Sequence, residues 1–426
     1  MKSSTFQIII IVVFSLFVAL GMIVLYWTNK GGSGEKITTV YLWGPVSSVT
    51  MNGFLESLQL DKQGLNVVYE EKPADSFDEK FVEALASGIG PDAIVLPEES
   101  IYRHFDKITP IPYQTFTERN FKDSYLTGAE VYLNPKGVIG IPFSIDPLIM
   151  YWNRDMFASK GIANSPKYWD EFLALSSKLT EKKGASGLTK SAVALGEFSN
   201  ISNAKEIISA MSMQAGNYFT GINSEGDLTL NLDKEKFLDV LDFYSQFANP
   251  LKKVFSWSRS LPNSRTVFSR GDLGVYFGFF SEKNDIFGSN SNFDFDYGYL
   301  PQVRNGDNRV TYSNMLAISV LKQSRNPSAT MKLAFLVGSK EAVKIWGDLT
   351  GLPPIRRDLY SEKPTDSFGI IGYDSALIGR GWLDPNGKKT REVFRDTVES
   401  ISSGWQTSTE AVADFGTKLY QVLITK

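Results

Sequence analysis

"IPFSIDPLIMYWNRDMF", residues 141 to 157, holds two apolar runs separated by one carboxylate, Asp146, which is followed at once by Pro147. Its tail, Asn153-Arg154-Asp155, reads as a step into a helix. A single charge in a segment that otherwise calls for burial needs a partner or a task.

On the amino-terminal side of this stretch the chain alternates strand and helix patterns. "ITTVYLW" (37 to 43) is β-rich, "SSVTMNGFLESL" (47 to 58) has helical spacing, and "LNVVYEE" (65 to 71) is a second strand. "FDEKFVEALAS" (77 to 87) is a second helix, broken by Gly88, Gly90 and Pro91 before the short strand "DAIVL" (92 to 96). This βαβαβ order argues for a parallel sheet covered by helices. Ligands of such sheets bind beyond the carboxyl ends of the strands, which points to Trp43 to Ser48 and Pro97 to Ser100.

On the carboxyl-terminal side, "SPKYWDEFLALSSKL" predicts a helix with Ser165 as N-cap, Pro166 in the first turn, and Trp169, Phe172, Leu175 and Leu179 on one face. "LDKEKFLDVLDFYSQFA" starts a helix on Asp233 and lines up Phe237, Leu241, Tyr244 and Phe247. "FSRGDLGVYFGFF" (268 to 280) predicts a turn at Gly271 and then a strand, and "NMLAISV" (314 to 320) another strand. Two helices follow, one with Pro327 near its start and one closed by Gly351.

The 426 residues are 42% hydrophobic and 13% aromatic, enough for two cores. With 44 basic and 47 acidic residues and a net charge of −3, the chain has no electrostatic footprint for nucleic acid. It has no cysteine and one histidine, His104, which excludes disulfides, thiolate chemistry and a multi-histidine zinc site. No metal or cofactor is expected. From Ile8 to Trp27 the chain carries no charge, and about twenty helical residues match a hydrocarbon core of roughly 30 Å. Tyr26 and Trp27 stand where an aromatic belt would lie, and the run lacks an A-x-A cleavage site. We expect an uncleaved, single-pass anchor over residues 1 to 36, with the amino terminus cytoplasmic and the rest extracytoplasmic.

Taken in order, "ALASGIGPDAIVL" (84 to 96), "GVIGIPFSIDPLIMYWNRDMF" (137 to 157), "SPKYWDEFLAL" (165 to 175), "FSRGDLGVYFGFF" (268 to 280), "LAISVLKQSRNPSATMKLAFLVGS" (316 to 339) and "TGLPPIRRDLY" (350 to 360) resemble the extracellular solute-binding proteins of bacterial ABC importers, in the branch of the maltose-binding protein. The resemblance implies an α/β, two-lobed periplasmic-binding-protein-like fold of type II with a cleft between the lobes. It implies lobe 1 over residues 37 to 145 plus 302 to 354, and lobe 2 over 146 to 301 plus 355 to 426. Asp146 then falls in the hinge at a position where relatives carry a carboxylate that hydrogen-bonds sugar; an ionised carboxylate can accept from two adjacent hydroxyls. A capping role for Asp146, or pairing with a nearby base such as Arg154, is the alternative.

The same resemblance implies solute contacts at Trp43, Ser47, Glu99, Phe279, Phe280, Asn314 and Trp382, aromatics stacking on sugar faces and polar groups meeting hydroxyls. Glu98 could serve in place of Glu99. Two tryptophans common among relatives are replaced here by Phe279-Phe280 and Asn314. The implied partners are a small solute, most naturally a sugar or oligosaccharide, and the permease subunits of an importer with a separate ATPase; a monomer is expected. Peptide, polyamine and polyol phosphate are alternative solutes, and a membrane-anchored sensor or scaffold is the alternative role. An enzyme is not expected: a single histidine leaves no credible Ser-His-Asp set, and no G-x-x-x-x-G-K-[ST] motif is present.

Overall fold

A computed structural model of the protein describes residues 37–184 and 187–425. The expected span over residues 8 to 27 lies outside them, and among the described residues no helix is long and apolar enough to cross a membrane.

Three parallel strands open the fold: β1 (Thr38–Gly44), β2 (Leu65–Glu71) and β3 (Ala93–Pro97), in the order β2-β1-β3. Helices Ser48–Ser57 and Ala74–Ala86 connect them, as the alternation of patterns requires. Next comes β4 (Ile141–Asn153), thirteen residues without interruption. At about 3.3 Å per residue it reaches roughly 40 Å, long enough to leave one core and enter another. All of it is buried except Asp146 and Trp152, which are half-buried, so it reads as a nearly continuous apolar run.

β4 changes neighbours along its length. Ile141 to Pro147 pair antiparallel with β8 (Thr311–Val320), which itself pairs with β3. Leu148 to Asn153 pair instead with β6 (Leu273–Phe279) and β7 (Phe295–Gly298), and β6 runs parallel to β5 (Gly187–Val193). One ten-stranded sheet therefore passes through the whole molecule. Pro147 sits where the partner changes, the place in the ladder where a missing N–H is tolerated.

Two cores flank the change. One gathers Phe54, Phe143 and Trp346, whose ring centroids lie 5.0–6.0 Å apart, with Val40, Ile94 and Met315. The other is built on Phe219, Phe237, Phe394 and Phe415, with Leu148, Phe277 and Tyr312. Core membership along β4 switches between Ile145 and Leu148. The return falls later than residue 302, between Tyr312 and Met315, because the Gln302 N–H donates to Lys167 O (3.0 Å) and keeps that segment with lobe 2. The last crossing also lies later than 354: Ile355, Leu359 and Ala376 still pack in lobe 1, where the Leu126 N–H donates to Ile355 O at 2.9 Å.

The helix expected from Ser165 starts instead at Glu171, with Asp170 at its cap position. The segment before it is held by the Trp169 N–H donating to Gln302 O (3.1 Å) and the Glu171 carboxylate accepting from Lys167 N (2.7 Å). The stripe Trp169, Phe172, Leu175 and Leu179 is buried as its spacing demands.

Candidate functional site at the seam between the lobes

The half-buried Asp146 lies directly opposite Asn314 where β4 and β8 pair. Its Oδ1 accepts the Ser281 N–H at 3.1 Å, so the hinge brings Asp146, Asn314 and the Phe280-Ser281 turn together. Burial lifts the Asp146 carboxyl to about 7, with the Ser281 hydrogen bonds working against the shift. Arg154, its alternative partner by sequence, is engaged with Asp294 instead.

The second focus is built by the segment after β3. Its short helix, Glu98–Ile101, turns Glu98 inward, where it accepts from Tyr312 Oη (2.8 Å) and the Met315 N–H (2.9 Å). Burial, and secondly the neighbouring Glu99, pushes the Glu98 carboxyl up to about 8. Glu99 reaches across to lobe 2 and meets Lys205 Nζ at 2.9 Å. Lys205 is fully buried and also contacts Asp384 Oδ2 at 2.7 Å. Arg391 pairs with Glu206 next to this group. The Lys205 ammonium holds Glu99 below the usual carboxylate range. Burial works to depress Lys205, but Asp384 and Glu99 overcome it and raise its pKa.

Glycines make the approach possible. A Cβ at Gly381 would lie 2.8 Å from Glu98 Cγ, and one at Gly387 2.7 Å from Glu99 Cδ, so the acidic pair rests directly on lobe 2 backbone. Farther along the seam, Asn134 Nδ2 of lobe 1 donates to Gly226 O of lobe 2 at 2.9 Å. A cavity of about 600 Å³ opens beside it, lined by Tyr102, Arg103 and His104 on one side and Asp227, Asn386 and Lys389 on the other.

The aromatic candidates are placed differently from the expectation. Trp43 belongs to the lobe 1 core with Lys72 Nζ 3.9 Å from its ring centroid, and Trp382 is 2% exposed among Phe219 and Phe394. Strand β1 and the segment after Arg380 place both rings in the cores. Phe280 stacks on Phe368 (centroids 4.0 Å) and Phe279 packs edge-on against Tyr312, both buried. Ser47 is exposed but already serves as the N-cap of helix Ser48–Ser57, its Oγ accepting from Thr50 N at 3.2 Å. Ser47→Ala is therefore expected to cost about 1 kcal/mol of stability in denaturant unfolding and to leave solute affinity unchanged. A drop in affinity at constant stability would return Ser47 to the site.

Sequence reading missed Lys205, Glu206, Asp384 and Arg391. One local signal was available: a Lys-Glu pair opening helix Ala204–Gln214, all of whose residues are buried. Charges on such a helix must be paired.

Residues 56–368 match the family model described as bacterial extracellular solute-binding protein, nearly three quarters of the chain. The chain belongs to that family. A binding protein of Brucella abortus (strain 2308) is 22% identical over 163 residues, 37% of this chain and 39% of the relative. The match thus spans about two fifths of the length of the curated relatives it finds. Among solved structures, a cyclo/maltodextrin-binding protein complexed with maltotetraose superposes with a TM-score of 0.74 at 15% identity, covering 91% of this chain and 97% of the other. The GacH receptor of Streptomyces glaucescens, studied with acarbose, gives 0.69 at 16% identity over 91% and 98%. A solute-binding protein of Thermotoga lettingae bound to α-D-tagatose gives 0.66 at 19% over 91% and 100%. At these identities the likeness establishes the two-lobed α/β solute-binding fold.

Proposed function

We propose that this solute-binding protein is the extracytoplasmic receptor of an ABC importer, capturing a sugar or oligosaccharide between its lobes and delivering it to a membrane permease. The observation that carries the reading is the seam. Hinge residues Asp146 and Asn314 and the cross-lobe set Glu98, Glu99 and Lys205 are hydrogen-bonding groups at the boundary of two separate cores. Solved relatives of this fold hold maltotetraose, acarbose and α-D-tagatose. A solute touching both lobes favours the closed form by the difference in its affinity for the two forms. Residues 8 to 27 would tether a monomeric receptor beside its permease and raise its local concentration there.

A sensor or scaffold is the second reading, favoured by Glu99 and Lys205 closing the seam with the chain's own groups. Calorimetric titration of the full chain, in a detergent without a sugar headgroup, tests the first against the second. Binding of maltotetraose or another oligosaccharide is expected; no heat and no thermal stabilisation with any sugar would sink the importer reading. Asp146→Ala is expected to weaken solute binding at least about tenfold, the loss of one charged hydrogen-bonding group, with little change in the unfolding midpoint. Failure of that variant to fold would assign Asp146 to holding the Phe280-Ser281 turn.

A further inference from the structure

We infer that the solute carries a basic nitrogen that lodges against Glu99 when the lobes close over it. This rests on the receptor reading above. The seam holds four carboxyl groups, Glu98, Glu99, Glu206 and Asp384, and two cations, Lys205 and Arg391.

The charges are divided unequally between the lobes. Lobe 2 is balanced within itself: Asp384 meets Lys205 and Glu206 meets Arg391. On lobe 1 Glu98 is turned inward onto Tyr312 and the Met315 N–H, which leaves Glu99 facing lobe 2, while Arg103 and His104, next along the segment, are taken up by Asp78 at 3.0 and 2.8 Å. Glu99 thus takes its cation from the other lobe.

The close fit of the acidic pair on Gly381 and Gly387 means that a solute entering here separates Glu99 from Lys205. The Glu99 carboxylate then faces the solute without its cation, and an unpaired buried charge costs several kcal/mol. A neutral polyol offers hydroxyl donors without compensating charge. An ammonium offers both, with three donors for the acceptors around it.

Unfilled polar atoms on the lobe 2 side are the independent sign that the seam is built for an occupant. Among the described residues, Glu206 Oε2, Trp382 Nε1 and Ser209 Oγ are buried with no hydrogen-bond partner. Trp382 lies with its ring centroid 5.8 Å from Lys205 Nζ, and Ser209 follows Glu206 by one helical turn. An acceptor, an indole donor and a hydroxyl without partners on this side suit a molecule bearing both amine and hydroxyl groups.

Amino sugars and polyamines both supply the nitrogen, and the test separates them. The full chain, in a detergent without a sugar headgroup, is titrated calorimetrically with glucosamine tetramer, its fully N-acetylated counterpart, spermidine and maltotetraose. Glucosamine tetramer is expected to bind at least tenfold more tightly than the N-acetylated form, and Glu99→Gln is expected to erase most of that preference. Binding of spermidine alone would uphold the nitrogen and overturn the sugar reading. Equal or tighter binding of maltotetraose or the N-acetylated tetramer would overturn the inference and leave the sugar reading standing, while no binding by any of the four would overturn both. A preference that survives in a folded Glu99→Gln variant would also overturn it.

Discussion

Replacing Lys205 by Met is expected to destabilise the protein by about 3–5 kcal/mol, because it strands two carboxylates in a buried seam. Glu99 would lose its 2.9 Å partner and Asp384 its 2.7 Å partner, and the second of these carboxylates is fully buried. Denaturant unfolding at neutral pH measures the loss. The combined variant Lys205→Met, Glu99→Gln, Asp384→Asn should recover most of it, since removing every charge also removes the desolvation that the cation offsets. Small-angle scattering should show the single variant opened between the lobes. A cost below about 1 kcal/mol would mean that water reaches the set and that it behaves as a surface pair.

Stability is also expected to fall as pH rises from about 5 to about 8, by an amount on the order of a few kcal/mol. The sign follows from the direction of the shifts. Glu98 is lifted from 4.5 to about 8 and Asp146 from 3.8 to about 7, each chiefly by burial. Both are protonated in the folded chain at pH 5 while the unfolded chain has begun to ionise them. Their contribution is therefore greatest below the ordinary carboxylate range and disappears as pH passes through the raised values. Glu99, held low by Lys205, gives the opposite slope at acid pH, so an optimum near pH 5 is expected. Thermal unfolding between pH 4 and 9 reads this directly. Glu98→Gln should flatten the alkaline side, its amide oxygen accepting from the Met315 N–H and its NH2 donating to Tyr312 Oη; an unchanged slope would locate the titration elsewhere.

Much of the architecture could be read from local patterns, because strands β1 to β3 and the helices between them announce themselves by spacing and by Gly88, Gly90 and Pro91. One carboxylate and one proline interrupting an otherwise apolar β4 marked the stretch around Asp146, but a crossing there was implied by the family resemblance and not by the local pattern. Cleft aromatics were not legible. Trp43 and Trp382 stand beside candidate loops in sequence, but the direction of each side chain is decided by packing with Lys72 and with Phe219 and Phe394. The cross-lobe charges were hidden by distance along the chain. Glu99 and Lys205 are 106 residues apart, and nothing local to either records the other. The start of the helix at Glu171 was missed for the same reason, since Gln302 holds the residues before it.

The continuous sheet also has a consequence for how the chain is made. β3 acquires its outer neighbour only when β8 arrives, roughly 220 residues later, and Trp346 enters the first core later still. At about 5–20 residues per second, the unpaired edge of β3 would wait on the order of 10–40 s for its partner. An apolar strand edge left open that long invites pairing with other chains. The half-finished first lobe is thus the aggregation-prone species during synthesis, and an export chaperone has its clearest task there.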